Sequence, residues 1–231
     1  MTMKIGIIGA GNIGGTLARR WTSLGHEVLI ANSRGPETLR ELARETGAKA
    51  VTVAEVVQGV EVVVITIPQK AVLALPKDLF ANVSKDVIVL DTNNYYPARD
   101  GRIEAIEQGA IESVWVSEQV GRPVLKVFNN IGHQSLFEKG APKGTPGRLA
   151  LPVAGDDATA KGKVLRLVEE LGFDAVDAGS LADSWRQQPG TPVYVRDFDE
   201  PRTMAALAEA DHGKRAEYRN AANEAAKRYF T

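Results

Sequence analysis

Three glycines near the N-terminus have the spacing of a phosphate-binding turn. Gly9, Gly11 and Gly14 follow the apolar run 5–8 and precede a stretch with helical periodicity. Gly9 permits a tight turn, Gly11 allows the backbone to approach a pyrophosphate, and Gly14 allows the helix to pack closely on the strand. The helix N-terminus offers N–H groups and a partial positive charge to phosphates. We therefore predict that this turn binds a dinucleotide.

The end of the second apolar run carries the residues that select the dinucleotide. An NAD-selective site places Asp or Glu here to accept hydrogen bonds from the ribose 2′-hydroxyl. This chain has Asn32, Ser33 and Arg34 instead. Ser33 and Arg34 can donate to a 2′-phosphate, which a carboxylate would repel. The alternative is that they only precede the next helix, which starts near Pro36. Position favours the first interpretation, and we predict NADP rather than NAD.

Composition excludes several classes of protein. The 231 residues are 44% hydrophobic and 25% charged, as in a globular protein, and the net charge is −1. This charge gives no basic field for nucleic acid, and no run approaches the roughly 20 apolar residues of a membrane span. The chain has no cysteine, which excludes disulfides and thiol chemistry. We expect a cytoplasmic protein without a nucleic-acid or membrane partner.

Apolar runs alternate with amphipathic stretches along the first 130 residues. This alternation predicts an α/β fold, a Rossmann-type doubly wound and mostly parallel sheet. The predicted strands are 4–8, 27–31, 49–51, 60–65, 86–90 and 124–128, and the predicted helices include 12–24, 36–45 and 53–58. Beyond a Gly/Pro-rich loop, strands 149–154 and 174–178 flank a helix at 158–171. We therefore predict an NADP-binding domain (1–130) and a small C-terminal α/β extension (131–231) for acceptor binding or oligomerisation.

Polar residues follow three of the predicted strands. Ligands of doubly wound sheets bind at the carboxyl ends of the strands, so these residues are expected to border one cleft. They belong to the segments that contain Thr66, Ile67, Pro68, Asn93, Asn129 and Asn130. Asparagine at a strand end is also common turn chemistry, so a purely local role is the alternative.

Five short segments occur in a characteristic order along the chain: the glycine turn, 32–34, 66–68, 151–157 and 177–179. Together they resemble the coenzyme F420-dependent NADP oxidoreductases, a family to which the cytoplasmic domain of STEAP metalloreductases is related. The resemblance implies hydride transfer between NADPH and a deazaflavin, coenzyme F420, stacked on the nicotinamide. It also implies a homodimer. Two features differ from the archaeal members: the tail 205–230 is mostly polar, and Asn129 and Asn130 stand at the nicotinamide end. A flavin, a ferric complex or another small molecule therefore stays open as the acceptor.

The resemblance also implies where the cofactor lies. Ser33 and Arg34 would hold the 2′-phosphate, Asn12 and Ile13 would line the pyrophosphate, and 129–132 would lie near the nicotinamide. The full set of expected cofactor-binding residues is Gly9, Ala10, Gly11, Asn12, Ile13, Gly14, Asn32, Ser33, Arg34, Thr66, Ile67, Pro68, Asn93, Asn129 and Asn130.

The chain offers no convincing set of acid and base residues and no metal site. His26 lies in a turn at the far end of the sheet and is expected to be structural, and His212 lies in the polar tail. His133 either contacts the acceptor or starts a helix. Trp185 and Arg186 either cover a planar anionic acceptor or belong to the core. Hydride transfer between two cofactors needs positioning rather than a protein acid, which fits this absence.

Two other functions compete with this prediction. One is a dehydrogenase or reductase of a small carbonyl, imine or hydroxy acid, but such β-hydroxyacid dehydrogenases add a large all-helical domain. Only about 100 residues follow the predicted cofactor domain here, and they include two strands. The other is a non-enzymatic NADP(H) redox sensor, which would bind the dinucleotide without turnover.

Overall fold

The apolar runs of the N-terminal half form a six-stranded sheet in the computed structural model, which describes residues 2–230. The strands are β1 (Lys4–Ile8), β2 (Glu27–Ala31), β3 (Lys49–Ala50), β4 (Val62–Ile65), β5 (Ile88–Asp91) and β6 (Leu125–Lys126). They are all parallel and lie in the order β3-β2-β1-β4-β5-β6. This order is that of a Rossmann-type doubly wound sheet, and it confirms the predicted fold class.

Helices cover both faces of this sheet. They are α1 (Asn12–Ser23), α2 (Arg40–Thr46), α3 (Pro97–Asp100), α4 (Glu104–Glu107), α5 (Glu112–Val120) and α6 (His133–Glu138), with 3-10 helices at Pro36–Leu39 and Gln69–Ala74. Helix α1 is amphipathic and buries Leu17, Ala18 and Trp21 against the sheet. Helix α2 ends at Gly47, whose φ of 78° is a left-handed conformation that glycine adopts without strain.

The C-terminal residues form a second, two-stranded sheet. Strands β7 (Ala150–Val153) and β8 (Asp174–Asp177) are parallel, and α7 (Ala158–Glu170) connects them. The Asp157 carboxylate caps α7 by accepting from the N–H groups of Thr159 and Ala160. A 3-10 helix (Leu181–Gln187), α8 (Glu200–Glu209) and α9 (Arg215–Ala226) follow. A small α/β extension is therefore present, as predicted.

The main hydrophobic core is shared by the two predicted regions. One cluster of buried side chains joins Ile5, Trp21 and Leu90 to Val164 and Phe173 of the extension. The two sheets also meet through a pair of backbone hydrogen bonds between residues 126 and 154, 2.8 and 3.0 Å long. The extension thus shares a buried core with the large sheet, and the boundary at residue 130 stays a prediction.

Two local predictions are wrong. The helix predicted over 53–58 is a series of turns, where Glu55 reaches back to accept from the backbone N–H of Thr52. The strand predicted over 124–128 is only Leu125–Lys126, because Phe128 has a φ of 61° and leaves the extended conformation. The helix predicted over 36–45 is present as a 3-10 turn that continues into α2.

Candidate functional site

A cleft of about 750 Å³ lies at the carboxyl ends of the central strands. Its walls come from the ends of β1, β2 and β4, which are neighbours in the sheet although they are distant along the chain. Nine predicted cofactor-binding residues line it: Gly9, Ala10, Gly11, Asn32, Ser33, Arg34, Thr66, Ile67 and Pro68. The structure therefore brings together the glycine turn, the specificity segment and the loop after β4, in a space large enough for an extended ligand.

The glycine turn has the geometry that its spacing predicts. Gly9 has a φ of 116°, and a Cβ there would lie 2.1 Å from the Thr66 carbonyl oxygen. A Cβ on Gly14 would lie 2.0 Å from the Gly9 carbonyl oxygen, so this glycine allows α1 to approach the turn. At Gly11, by contrast, a Cβ would meet no atom within 4 Å. Gly11 thus borders open space, and a side chain there would fill part of the cradle in which a pyrophosphate would fit.

The first turn of α1 supplies hydrogen-bond donors at this cradle. The helical ladder begins with the Gly15 N–H donating to the Gly11 carbonyl at 2.8 Å. The N–H groups of Asn12, Ile13 and Gly14 therefore lie before the ladder and need an acceptor from outside the helix. No acidic residue occupies this first turn, so nothing opposes an anion at the positive end of the helix dipole.

The loop after β2 presents its polar side chains at the other end of the cleft. Asn32 shapes the loop: its Oδ1 accepts from the Arg34 N–H at 2.9 Å, and its Nδ2 donates to Thr38 at 2.9 Å. Ser33 and Arg34 are exposed. Among residues 2–230, no carboxylate forms an ion pair with the Arg34 guanidinium. Arg34 is therefore a cation available to a phosphate. The carboxylate of Glu37 folds back over Gly35, where a Cβ would lie 2.3 Å from its Oε1.

Asn93 supports the cleft from behind rather than lining it. Its side chain is buried, and its Oδ1 accepts from the N–H of Ile67 at 3.0 Å. Its own N–H donates to Asp91 Oδ1 at 2.9 Å. Asn93, predicted to contact the cofactor, does not line the cleft and instead positions the loop after β4.

A buried ion pair, which the sequence analysis did not identify, anchors Asn93. Lys126 Nζ donates to Asp91 Oδ2 at 3.1 Å and also to the Asn93 carbonyl. Both side chains are fully buried. A lysine between Leu125 and Val127 in an apolar strand was the signal available in the sequence, because a buried lysine requires a partner.

The predicted nicotinamide-end residues are buried in the contact between the two sheets. Asn129 Nδ2 donates to the Asn94 side chain at 3.0 Å and to the Gln187 carbonyl at 2.6 Å, and Asn129 Oδ1 accepts from Gln187 Nε2 at 3.0 Å. Asn130 is 1% exposed, and its Oδ1 has no partner among the described residues. Neither residue lines the cleft, so their contact with a nicotinamide stays a prediction.

The three predicted acceptor contacts lie elsewhere. His133 is the first residue of α6 and borders a separate groove with Thr16 and Phe137. Trp185 is 8% exposed and lies in a 3-10 helix, with the exposed His212 packed edge-on against its ring. Arg186 pairs with Asp183 at 3.0 Å. None of the three lines the cleft. His26 is structural as expected, since it is buried between Met3 and Glu170.

Glu112 is a buried carboxyl group with a strongly raised pKa. Burial raises its pKa to about 7, although Lys126 opposes the shift. Its Oε2 accepts from the Tyr95 N–H at 3.1 Å, and its backbone carbonyl accepts from Gln69, the residue after Pro68 of the cleft. This carboxyl is therefore part of the wall behind the cleft and exchanges a proton near neutral pH.

The raised pKa of Glu112 predicts how stability depends on pH. The folded state binds a proton between the ordinary pKa near 4.5 and the folded value of about 7, so the free energy of unfolding falls as pH rises through this window. We expect Glu112→Gln to be more stable than the wild type by about 3 kcal/mol at about pH 8, and nearly equal at about pH 4. Urea unfolding at several pH values tests this, with Glu118→Gln, exposed on the same helix, as the control. Parallel pH profiles for Glu112→Gln and the wild type would contradict it.

Within the described residues, no helix combines the length and the apolar character needed to cross a membrane. The same part of the chain holds no group of three or more His, Cys, Asp or Glu side chains placed to bind a metal ion.

Comparison with known proteins gives a family match over residues 4–95 and structural matches over most of the chain. Residues 4–95 match the model of the family described as NADP oxidoreductase, coenzyme F420-dependent. The Escherichia coli K12 protein YjhV is 42% identical over 93 residues, which are 40% of this chain. The match spans 61% of YjhV, so the chain is similar to only part of that curated relative.

Solved structures extend the similarity to the C-terminal region. The hypothetical protein SMa0349 from Sinorhizobium meliloti is 32% identical with a TM-score of 0.73, over 87% of this chain and 96% of that one. A candidate F420-dependent NADP reductase from Arthrobacter sp. FB24 is 24% identical with a TM-score of 0.64, over 79% of this chain and 87% of that one. The 3-hydroxyisobutyrate dehydrogenase of Mycobacterium tuberculosis shares the fold alone. It is 17% identical with a TM-score of 0.59, over 80% of this chain and 58% of that one.

Proposed function

Since the chain belongs to the family of coenzyme F420-dependent NADP oxidoreductases, we propose that it transfers hydride between NADPH and a deazaflavin or flavin-type acceptor. The proposal rests on the cleft, because the glycine turn, Arg34 and the loop after β4 all line it. NADPH would supply the hydride, and the protein would supply orientation and the exclusion of competing reactions.

Each wall of the cleft has a distinct task in this proposal. The N–H groups at the start of α1 would bind the pyrophosphate, which approaches the backbone at Gly11. Ser33 and Arg34 would donate to the 2′-phosphate, with the guanidinium forming charge-assisted hydrogen bonds. Ile67 and Pro68 would pack against the cofactor and fix its path across the sheet. The N–H of Ile67 already donates to Asn93, so the backbone of this wall is positioned without the cofactor.

The lining of the cleft is suited to the phosphates of a dinucleotide. It contains one cation, Arg34, and no carboxylate or histidine that would oppose them. A ketone or imine reductase needs a proton donor beside the reacting atom, whereas hydride transfer to a deazaflavin needs close stacking and correct orientation. We propose that the acceptor is a small molecule, bound by a homodimer in the cytoplasm.

The experiment that tests the function follows the acceptor directly. Purified protein is mixed with NADPH and oxidised coenzyme F420, and the deazaflavin absorbance is recorded, with flavin mononucleotide in a parallel reaction. Rapid bleaching of either acceptor is the expected result. The Gly11→Val variant, which should not bind NADPH, controls for direct reduction in solution. Clear NADPH binding with no turnover of either acceptor would contradict the proposal and favour a small-molecule reductase or an NADP(H) sensor.

The role of Arg34 gives a second prediction. Arg34→Glu replaces attraction by repulsion at the 2′-phosphate, and we expect NADPH affinity to fall by about 10- to 100-fold while NADH affinity stays the same or rises. Titration calorimetry with both dinucleotides measures this. Arg40→Glu makes the same charge change at an exposed position on α2 and should have a much smaller effect. Equal losses for NADPH and NADH, or equal losses in the two variants, would contradict the assignment.

A further inference from the structure

A second pocket, of about 150 Å³, lies apart from the cleft and shares no lining residue with it. Its walls come from three parts of the chain, 106–112, 185–191 and 212–219. Helix α9 closes it against the segment that connects α4 to α5. The proposed function of the cleft makes no use of this pocket.

Two arginine side chains of α9, Arg215 and Arg219, lie at this pocket close enough for their positive charges to repel each other. Arg219 forms an ion pair with Glu107 at 2.8 Å and donates to the Ile106 carbonyl at 3.2 Å. Arg215, one helical turn earlier, donates to the Gly109 carbonyl at 3.0 Å, and no described carboxylate forms an ion pair with it. Burial and the charge of Arg219 lower the pKa of Arg215. Two guanidiniums thus share one ion-paired carboxylate, and Arg215 forms no ion pair within the described residues.

Several hydrogen-bond donors on the same walls lack an acceptor. Arg215 Nε, Arg219 Nε and Gln188 Nε2 are buried, and none has a partner within the part of the chain that the structure describes. Buried polar groups in native proteins are nearly always hydrogen-bonded. Three N–H groups around one pocket thus have no acceptor within the described chain, and a water molecule or a ligand in the pocket would supply one.

One side of the pocket carries aromatic and apolar side chains. The ring of Trp185 borders the pocket, and the ring of His212 stands edge-on to it, with the centroids 5.0 Å apart at 88°. Ile106 and Pro189 complete this side. A planar, apolar ligand body can stack on such a surface while its charged end reaches the arginines.

We propose that this pocket binds a small monocarboxylate with a flat apolar body, such as an aromatic acid. The carboxylate would accept from Arg215 and Gln188, and the body would lie against Trp185. One negative charge would pair with Arg215, the guanidinium that forms no ion pair among the described residues. A phosphate dianion would bring a second negative charge close to the carboxyl groups of Glu107 and Glu112, which also face the pocket. This proposal does not depend on the function proposed for the cleft.

Titration calorimetry of the full chain with benzoate, acetate and inorganic phosphate tests it. We expect benzoate to bind more tightly than acetate or phosphate, and Arg215→Met to weaken benzoate binding at least about tenfold. The matched control, Arg166→Met, removes an exposed arginine of α7 and should bind benzoate like the wild type. No binding of benzoate at millimolar concentrations, tighter binding of phosphate, or equal affinities in the two variants would overturn the proposal.

A spectroscopic readout locates the ligand independently of any arginine variant. In an NMR titration of the wild type, the indole N–H signal of Trp185, identified from a Trp185→Phe spectrum, should shift with benzoate. The signal of Trp21, fully buried in the main core, should stay in place. A titration that shifts neither signal, or both equally, would overturn the placement of the ligand in this pocket.

Discussion

Replacing Gly11 by valine is expected to remove NADPH binding while leaving the fold intact. The Cβ would point into open space, with no atom within 4 Å, so the folded chain can accommodate the side chain. The backbone there has a φ of −79° and a ψ of −164°, which valine adopts readily. The added methyl groups would occupy the cradle and separate the pyrophosphate from the N–H groups of α1. Loss of two charge-assisted hydrogen bonds corresponds to roughly a thousandfold weaker binding.

Titration calorimetry with NADPH and urea unfolding together test this prediction. Gly162→Val is the matched control, because a Cβ on this α7 glycine also meets no atom within 4 Å but lies outside the cleft. It should bind NADPH with wild-type affinity. Gly14→Val should instead lower the free energy of unfolding, because a Cβ at this position would clash with the Gly9 carbonyl. A Gly11→Val protein that binds NADPH as the wild type does would show that the turn does not hold the pyrophosphate.

Replacing Lys126 by methionine is expected to cause the largest loss of stability of any substitution proposed. Methionine fits the space of the lysine stem but leaves the fully buried Asp91 carboxylate without its cation. Breaking a buried ion pair in this way costs about 3–5 kcal/mol in the free energy of unfolding. NADPH binding should weaken as well, because Lys126 and Asp91 hold Asn93, and Asn93 holds the N–H of Ile67.

Urea unfolding of two variants separates the charge from the shape of this site. Adding Asp91→Asn to Lys126→Met removes the unpaired charge and keeps an oxygen that can accept from the Asn93 N–H. The double variant should therefore recover most of the lost stability. If Lys126→Met alone unfolds within about 1 kcal/mol of the wild type, the ion pair does not have the importance assigned to it.

The parts of the site that could be predicted from the sequence are those that depend on local pattern and on sheet topology. The spacing of Gly9, Gly11 and Gly14 predicts a turn whose geometry the backbone alone determines. The segments 32–34 and 66–68 could be assigned to the same cleft because the carboxyl ends of neighbouring parallel strands meet at one edge. Neither inference needs to know which side chains touch each other.

The parts that could not be predicted depend on contacts between distant residues. An asparagine after a strand looks the same whether it faces a ligand or the protein interior, and Asn93 and Asn129 prove to face the interior. The Asp91 and Lys126 side chains meet only because β5 and β6 are adjacent. The second pocket needs α9 to fold back on residues 106–112, and the polar composition of the tail gives no indication of this packing.

The shared core has a consequence for how a cofactor could enter and leave. Many dinucleotide enzymes open and close by rotating one domain about a hinge, which requires an interface that can separate. Here Ile5 and Leu90 of one region pack in the same buried cluster as Val164 and Phe173 of the other, and Asn129 bonds to Gln187 across the junction. We expect regions joined in this way to unfold together rather than to rotate about a hinge. A dinucleotide would then enter and leave through local movements at the rim of the cleft, where Ser33 and Arg34 are exposed.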